Sequence, residues 1–276
     1  MRGGVGVRLS GRLVLVTGAS SGIGWATTRR LAHAGARLAL VARRREALEA
    51  LAREIQSGGG MARAYPADLG DPTAVRRMAE AVRRELGVPD ALVHAAGAGR
   101  WLFVEETPPE EAVRMMQAPY FAAFFVTQAF LPGMLERGRG VVCVINSPAA
   151  LQPWPGATGY VAARWALRGF TEALRLDLRG TGIAVCSVVA GRVRSAYWQH
   201  NPGAIERVPR LARLIPDLTP EAVARVVVRA LEKESRLVVV PWALRVMYAL
   251  HPFAPRLAEA LVWRTGYRHP RAGRRG

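Results

Sequence analysis

A serine at 147, a tyrosine thirteen positions later at 160 and an arginine four beyond that at 164 could together move a proton. A carbonyl that gains hydride at carbon becomes an alkoxide, and its oxygen then needs a proton. A tyrosine hydroxyl is a reluctant base, with a reference pKa of about 10. A cation one helical turn away stabilises the phenolate and lowers that value. Tyr160 and Arg164 share a helix face at this spacing, and Ser147, at the end of an apolar run, could hold the substrate oxygen against the tyrosine. The catalytic candidates are therefore Ser147, Tyr160 and Arg164. The plainer readings are a core tyrosine on an amphipathic helix and a serine in a strand-end turn.

A second group of residues could hold a phosphate. The stretch TGASSGIG, residues 17–24, joins an apolar run to a helical one. Gly18, Gly22 and Gly24 let the backbone turn tightly beside a pyrophosphate. The helix that follows offers free N–H groups and the positive end of its dipole. A ribose 2′-hydroxyl requires a carboxylate at the end of the second strand, and a 2′-phosphate requires a cation. The sequence there is LVARRRE, with Arg43 and no acid before Glu46. Ser20 could donate to the same phosphate, so NADP(H) is the expected cofactor. Asp68, in ADL at 67–69, could accept from an adenine amino group or serve only as a turn residue.

The elements that must position these residues alternate. Apolar runs at 12–18, 36–42, 61–67, 89–97, 140–146, 183–191 and 236–241 read as strands. Amphipathic stretches at about 23–34, 47–56, 71–86, 109–118, 120–137, 158–179 and 220–233 read as helices, with Asp71 and Pro72 opening one of them. Strands apolar on both faces, alternating with helices, predict an α/β fold with a parallel sheet and right-handed crossovers. Residues 192–218 read as irregular, and 242–267 as two short amphipathic helices. The expected organisation is one domain over 1–241 and a helical extension with a basic tail over 242–276.

Composition removes several alternatives. The chain has 276 residues, 50% of them hydrophobic, enough for one α/β core. Cys143 and Cys186 lie in apolar runs without a His/Cys cluster, which argues for buried thiols in a reducing compartment, and no metal site is expected. The net charge is +18, and Lys233 is the single lysine among 39 basic residues. That charge is spread along the chain, so nucleic-acid binding is not expected. The N-terminal MRGGVGVRLS lacks the apolar segment of a signal peptide. The uncharged stretch 115–135 is long enough to span a bilayer, but its prolines and glutamines and its place in the alternation favour a buried helix. A cytoplasmic location, with membrane association as the open alternative, is expected.

TGASSGIG, ADL, HAAG at 94–97, Ser147 and Tyr160 with a basic residue at 164 resemble the short-chain dehydrogenase/reductase family over about residues 10–240. The resemblance implies one Rossmann-type doubly wound domain of about seven parallel strands, a Ser–Tyr–Lys–Asn catalytic set and hydride exchange with a nicotinamide. The cofactor set expected on the turn and the resemblance is Gly18, Ser20, Ser21, Gly22, Ile23, Gly24, Arg43, Asp68, Leu69, Ala96, Gly97, Tyr160, Arg164 and Val193. The resemblance also implies dimers or tetramers, with the uncharged 115–135 helix packed against its copy.

Several positions depart from the family pattern. Arg164 stands for the lysine, a swap that keeps the charge but not the shape. Pro119, thirteen residues before Pro132, stands for the helix asparagine. Proline leaves the carbonyl of Met115 without its usual donor, and a kink presenting a free carbonyl to water is expected. His94 replaces the first Asn of the family's Asn-Asn-Ala-Gly and is expected to satisfy a strand backbone group. Ala190 replaces the proline of the Pro-Gly after strand six. The expected function is an NADP(H)-dependent oxidoreductase. The alternative is a catalytically impaired NADP-binding sensor or scaffold.

Ligands of parallel sheets sit beyond the carboxyl ends of the strands. The loops there carry Trp101, Phe103, Trp154, Tyr197 and Trp198, which suggests an apolar or aromatic carbonyl or alcohol held by Ser147, Trp154 and Trp198. Residues 242–267 mix Trp242, Tyr248, Phe253 and Trp263 with Arg245, Arg256 and Arg264, and could lie on a membrane surface or pack on the domain.

Overall fold

The computed structural model describes residues 8–270. Most of the N-terminal stretch read against a signal peptide, and the last six residues of the basic tail, lie outside these.

Seven short runs become strands, the inner five because both of their faces can be covered, the two at the sheet edges with exposed positions. They are β1 (Leu13–Thr17), β2 (Arg37–Ala42), β3 (Met61–Pro66), β4 (Ala91–His94), β5 (Gly140–Asn146), β6 (Ile183–Ala190) and β7 (Leu237–Val240). All pair in parallel, in the order β3-β2-β1-β4-β5-β6-β7. Helices α1 (Gly22–His33), α2 (Arg45–Ser57) and α3 (Pro72–Glu85) follow the first three strands. Helices α4 (Pro109–Met116) and α5 (Ala122–Arg137) follow β4, α6 (Thr158–Asp177) follows β5, and α7 (Pro220–Glu232) follows β6. This is the expected doubly wound α/β fold. The strand order reverses between β1 and β4, which is where a crevice opens.

The helices start where the sequence chemistry says they should. The Asp71 carboxylate accepts from the N–H of Thr73 at 2.8 Å, and the Thr219 hydroxyl from that of Ala222 at 3.2 Å. Proline stands at the first position of both helices, where its missing N–H costs nothing. One core layer packs α1, α2 and α7 on the sheet around Leu31, Leu48, Val223 and Val227. The other packs α3, α5 and α6 around Val82, Phe130 and Leu167.

The stretch Pro109–Arg137 is long and apolar enough to cross a membrane. Ala122, Val126, Phe130 and Met134 on its inner face are buried against the sheet and α3, as expected of a core helix. Pro119 does not break it. Gln117–Phe121 form a π turn between α4 and α5. A turn widened by one residue absorbs a missing N–H without ending the helix. The expected kink is therefore a local widening of a continuous helix.

Beyond β7 the chain forms α8 (Trp242–Leu250) and α9 (Pro255–Thr265). Both fold back on the domain. Leu244 joins Val189 and Val239 in a small cluster, and His251 Nε2 lies 3.2 Å from Gln152 Oε1.

Candidate functional site

The carboxyl ends of the strands open on one cavity of about 1140 Å³, which runs from the glycine turn to the face of α8 and α9. The turn fits a backbone that must come close to other groups. Gly18 has φ 66°, and a Cβ there would lie 2.8 Å from the Ala96 nitrogen. A Cβ on Gly24 would lie 2.2 Å from the Gly18 carbonyl oxygen, so Gly24 closes the turn from behind and does not line the cavity. Helix α1 begins at Gly22 with no side-chain cap, so its first N–H groups remain available beside the cavity. Thr17, which the sequence reading missed, fastens the opposite wall. Its hydroxyl accepts from the N–H groups of Ala95 and Ala96 at 3.1 and 3.2 Å.

At the end of β2, Arg43 and Arg44 both line the cavity and both are exposed. Arg44 Nη2 donates to the Ser20 carbonyl at 2.9 Å and reaches the Ser20 hydroxyl at 3.3 Å. The sequence pointed to Arg43; the structure adds Arg44 on the glycine turn itself. Asp68 and Leu69 also line this end. The Asp68 carboxylate accepts from the N–H of Gly70 at 2.9 Å, so it holds its own turn.

At the other end, Ser147, Tyr160, Arg164, Ala96, Gly97 and Val193 come together. Ser147 follows β5 and caps a short 3₁₀ turn, its hydroxyl accepting from the N–H of Ala149 at 3.3 Å. Tyr160 and Arg164 are buried on one face of α6. The guanidinium carbon sits 4.9 Å from the centre of the Tyr160 ring. A Cβ on Gly97 would lie 2.8 Å from Arg164 Nη2, so the guanidinium packs directly on this glycine and would have to shift if a side chain stood there. Arg164 Nε is buried without a hydrogen-bond partner. A donor left unmet in a cavity wall suits a ligand oxygen. Together with the tight glycine turn it makes this cavity fit a dinucleotide.

Asn146 links the two sides of this end. Its Nδ2 donates to the Arg164 carbonyl at 3.2 Å, and its Oδ1 accepts from the N–H of Ser147 at 2.8 Å. No motif flagged Asn146, because its role lies in joining a strand end to a helix distant in sequence.

Trp101, Trp154, Tyr197 and Trp198 close over Tyr160. The Trp101 ring centre lies 5.0 Å from that of Trp154, 5.6 Å from that of Tyr160 and 5.7 Å from that of Trp198. Trp101 Nε1 donates to the Tyr197 hydroxyl at 3.0 Å, which donates to the Gly99 carbonyl at 2.8 Å. Burial, and next the neighbouring Tyr160, push the Tyr197 pKa up. Phe103, expected in this wall, is elsewhere. It packs against Tyr267, His269 and the Arg207 guanidinium, outside the cavity.

His94 also differs from expectation. Its Nε2 lies 2.9 Å from the Thr127 hydroxyl on α5 and satisfies no strand backbone group. Burial lowers its pKa from 6.5 to about 4. No metal-binding cluster of His, Cys, Asp or Glu occurs among the described residues. The folded state keeps His94 neutral while the unfolded chain protonates it. Stability is therefore fully present above pH 6.5 and falls as the pH drops towards about 4. The shift corresponds to about 3 kcal/mol. Thermal melts between pH 8 and 4.5 should show His94→Asn losing much less stability on acidification than the parent; equal losses would assign the acid sensitivity to other groups.

Comparison with known proteins agrees with this fold. The short chain dehydrogenase family model matches residues 12–204. A short chain dehydrogenase of Pseudocercospora fijiensis is 35% identical over 190 residues, covering 68% of this chain and 62% of that protein. Glycine betaine reductase ATRR of Emericella nidulans is 36% identical over 66% of this chain, but only 14% of its own length is matched. The chain thus spans less than two thirds of these relatives. A fatty acyl-CoA reductase of Acinetobacter baylyi is 30% identical, over 83% of this chain and 75% of the relative.

Among solved structures, a metagenomic short-chain oxidoreductase in complex with NADP is 30% identical, with a TM-score of 0.71 over 85% of this chain and 98% of that one. A Pseudomonas aeruginosa short chain oxidoreductase, NADPH-bound and described as containing an atypical catalytic center, is also 30% identical. Its TM-score is 0.73 over 83% of this chain and 95% of its own. The family match spans the glycine turn and six of the seven strands, and the chain belongs to the short-chain dehydrogenase/reductase family of oxidoreductases.

Proposed function

We propose that this protein is an NADP(H)-dependent oxidoreductase that interconverts a carbonyl and an alcohol on an apolar or aromatic substrate, with Tyr160 as the acid/base. One observation carries the reading: Tyr160 is buried between the Arg164 guanidinium and an aromatic wall, in the same cavity as the glycine turn. A bound NADPH would supply the hydride. Ser147 holds the carbonyl oxygen, Tyr160 gives that oxygen its proton, and Arg164 stabilises the phenolate left behind. Arg164 would hold the ribose hydroxyls beside it. Trp101, Trp154 and Trp198 exclude water and select an apolar substrate.

The preference for the 2′-phosphate rests on Ser20, Arg43 and Arg44, with no carboxylate ending β2. The NADP- and NADPH-bound relatives support it. The test is a fluorescence titration with NADPH and NADH in parallel. NADPH should bind at least about tenfold more tightly, as charge-assisted contacts to a phosphate imply. Arg43→Ala with Arg44→Ala should weaken NADPH by roughly 10–100-fold and leave NADH nearly unchanged. Binding of neither nucleotide would overturn the proposal.

A second reading, a cofactor-binding sensor with impaired catalysis, is favoured by Arg164 and Pro119 standing where the family has lysine and asparagine. Binding of NADPH with no turnover of any carbonyl would select it. We further propose a homodimer or homotetramer, through the aromatic face of Tyr120, Phe124 and Phe170. A cytoplasmic location is proposed on the two free, buried cysteines, paired across β5 and β6.

A further inference from the structure

Helices α8 and α9 have two different faces. Leu244 and Val262 are buried inward. Leu250, Leu257 and Leu261 line the cavity mouth, yet they are 59%, 61% and 40% exposed, so the mouth opens through an apolar rim. Outside the rim stand Trp242, Phe253 and Trp263, exposed by 75%, 86% and 65%. Soluble surfaces rarely carry so many large apolar side chains together. Arg245, Arg256 and Arg264 are exposed on the same two helices, against one acid, Glu259. Aromatic and leucine side chains beside arginines form a surface suited to an anionic lipid interface.

We infer that the outer face of α8 and α9 docks on the surface of an anionic lipid bilayer, with the cavity mouth turned towards the lipid. The inference extends the proposed function, on which it rests for the nature of the substrate: an apolar carbonyl dissolved in the bilayer would enter without crossing water. A second copy fits this face less well, because a two-fold contact would bring three arginines from each copy into one interface with only Glu259 from each to offset them. The chain's charge of +18 also draws it towards anionic headgroups.

The test needs neither cofactor nor substrate, so its failure is distinct from failure of the oxidoreductase reading. The full chain is sedimented with vesicles of phosphatidylcholine alone and of phosphatidylcholine with phosphatidylglycerol. It should pellet with the anionic vesicles and be released by salt. Phe253→Glu with Trp263→Glu should lower the bound fraction about tenfold or more at an unchanged melting temperature. Arg256→Glu with Arg264→Glu is a second, independent variant and should lose binding to the anionic vesicles. Brominated lipid should quench tryptophan fluorescence in the parent, and less so in Trp242→Phe with Trp263→Phe. The inference is overturned if the parent stays in solution with anionic vesicles, if both charge variants pellet like the parent, or if sedimentation shows instead a dimer that the Phe253 and Trp263 substitutions dissociate.

Discussion

Replacing Tyr160 with phenylalanine should reduce carbonyl turnover by roughly 10²–10⁴-fold, the usual worth of a positioned acid/base, while NADPH affinity stays within about twofold. The substitution removes one oxygen and keeps the ring. The ring is what Trp101 and Trp154 pack against, at 5.6 and 6.3 Å, and what the Arg164 guanidinium covers. Packing and fold should therefore survive, and the loss should fall on kcat. The obvious rival proton donor is Tyr197. Its hydroxyl is already engaged on both sides, accepting from Trp101 and donating to the Gly99 carbonyl. Burial raises its pKa further and makes it a worse acid. A Tyr160→Phe enzyme within tenfold of the parent in kcat, with Tyr197→Phe strongly impaired, would move the acid to Tyr197.

The second large effect should come from Arg164. Arg164→Ala should lower kcat by roughly 10–1000-fold. It should also raise KM for NADPH, because the unmet Nε donor disappears together with the charge. Arg164→Lys separates charge from shape. Lysine restores a positive charge one turn from Tyr160, but not the planar contact over its ring or the reach to Gly97. It should hold kcat within about tenfold of the parent. If alanine and lysine at 164 behave alike in steady-state kinetics across pH, the charge is not what arginine contributes.

Much of this site could be read before the fold was known, where chemistry is encoded in local spacing. The glycine turn lies between a strand and a helix contiguous with it, so its glycines announce the tight turn that lines the cavity. Tyr160 and Arg164 are one helical turn apart, and periodicity alone puts them on one face. The inner strands were legible because they are apolar on both faces, while the edge strands β3 and β7 are partly exposed. What escaped depends on pairs far apart in the chain. Thr17 meets Ala95 and Ala96 only because β1 lies beside β4. Asn146 meets Arg164 only because α6 crosses back over β5. Phe103 and Trp101 look equivalent in sequence, two positions apart, yet one packs under Arg207 and the other over Tyr160. Arg43 and Arg44 are adjacent, and the direction of each was fixed only by the path of the chain after β2. Pro119 marked an irregularity without specifying whether the helix would break or widen.

The bridge made by Asn146 has a consequence best put in mechanical terms. Ser147 and Arg164 stand on different elements, and the loop between them could let their separation drift, each joint adding its own play. A single amide fastened to the Ser147 N–H and to the Arg164 carbonyl bypasses that run of joints. The separation is then gauged across two hydrogen bonds, whatever the length or sequence of the loop in between. The loop is thereby free to carry Trp154 into the cavity wall while the backbone of Ser147 keeps its register against that of Arg164.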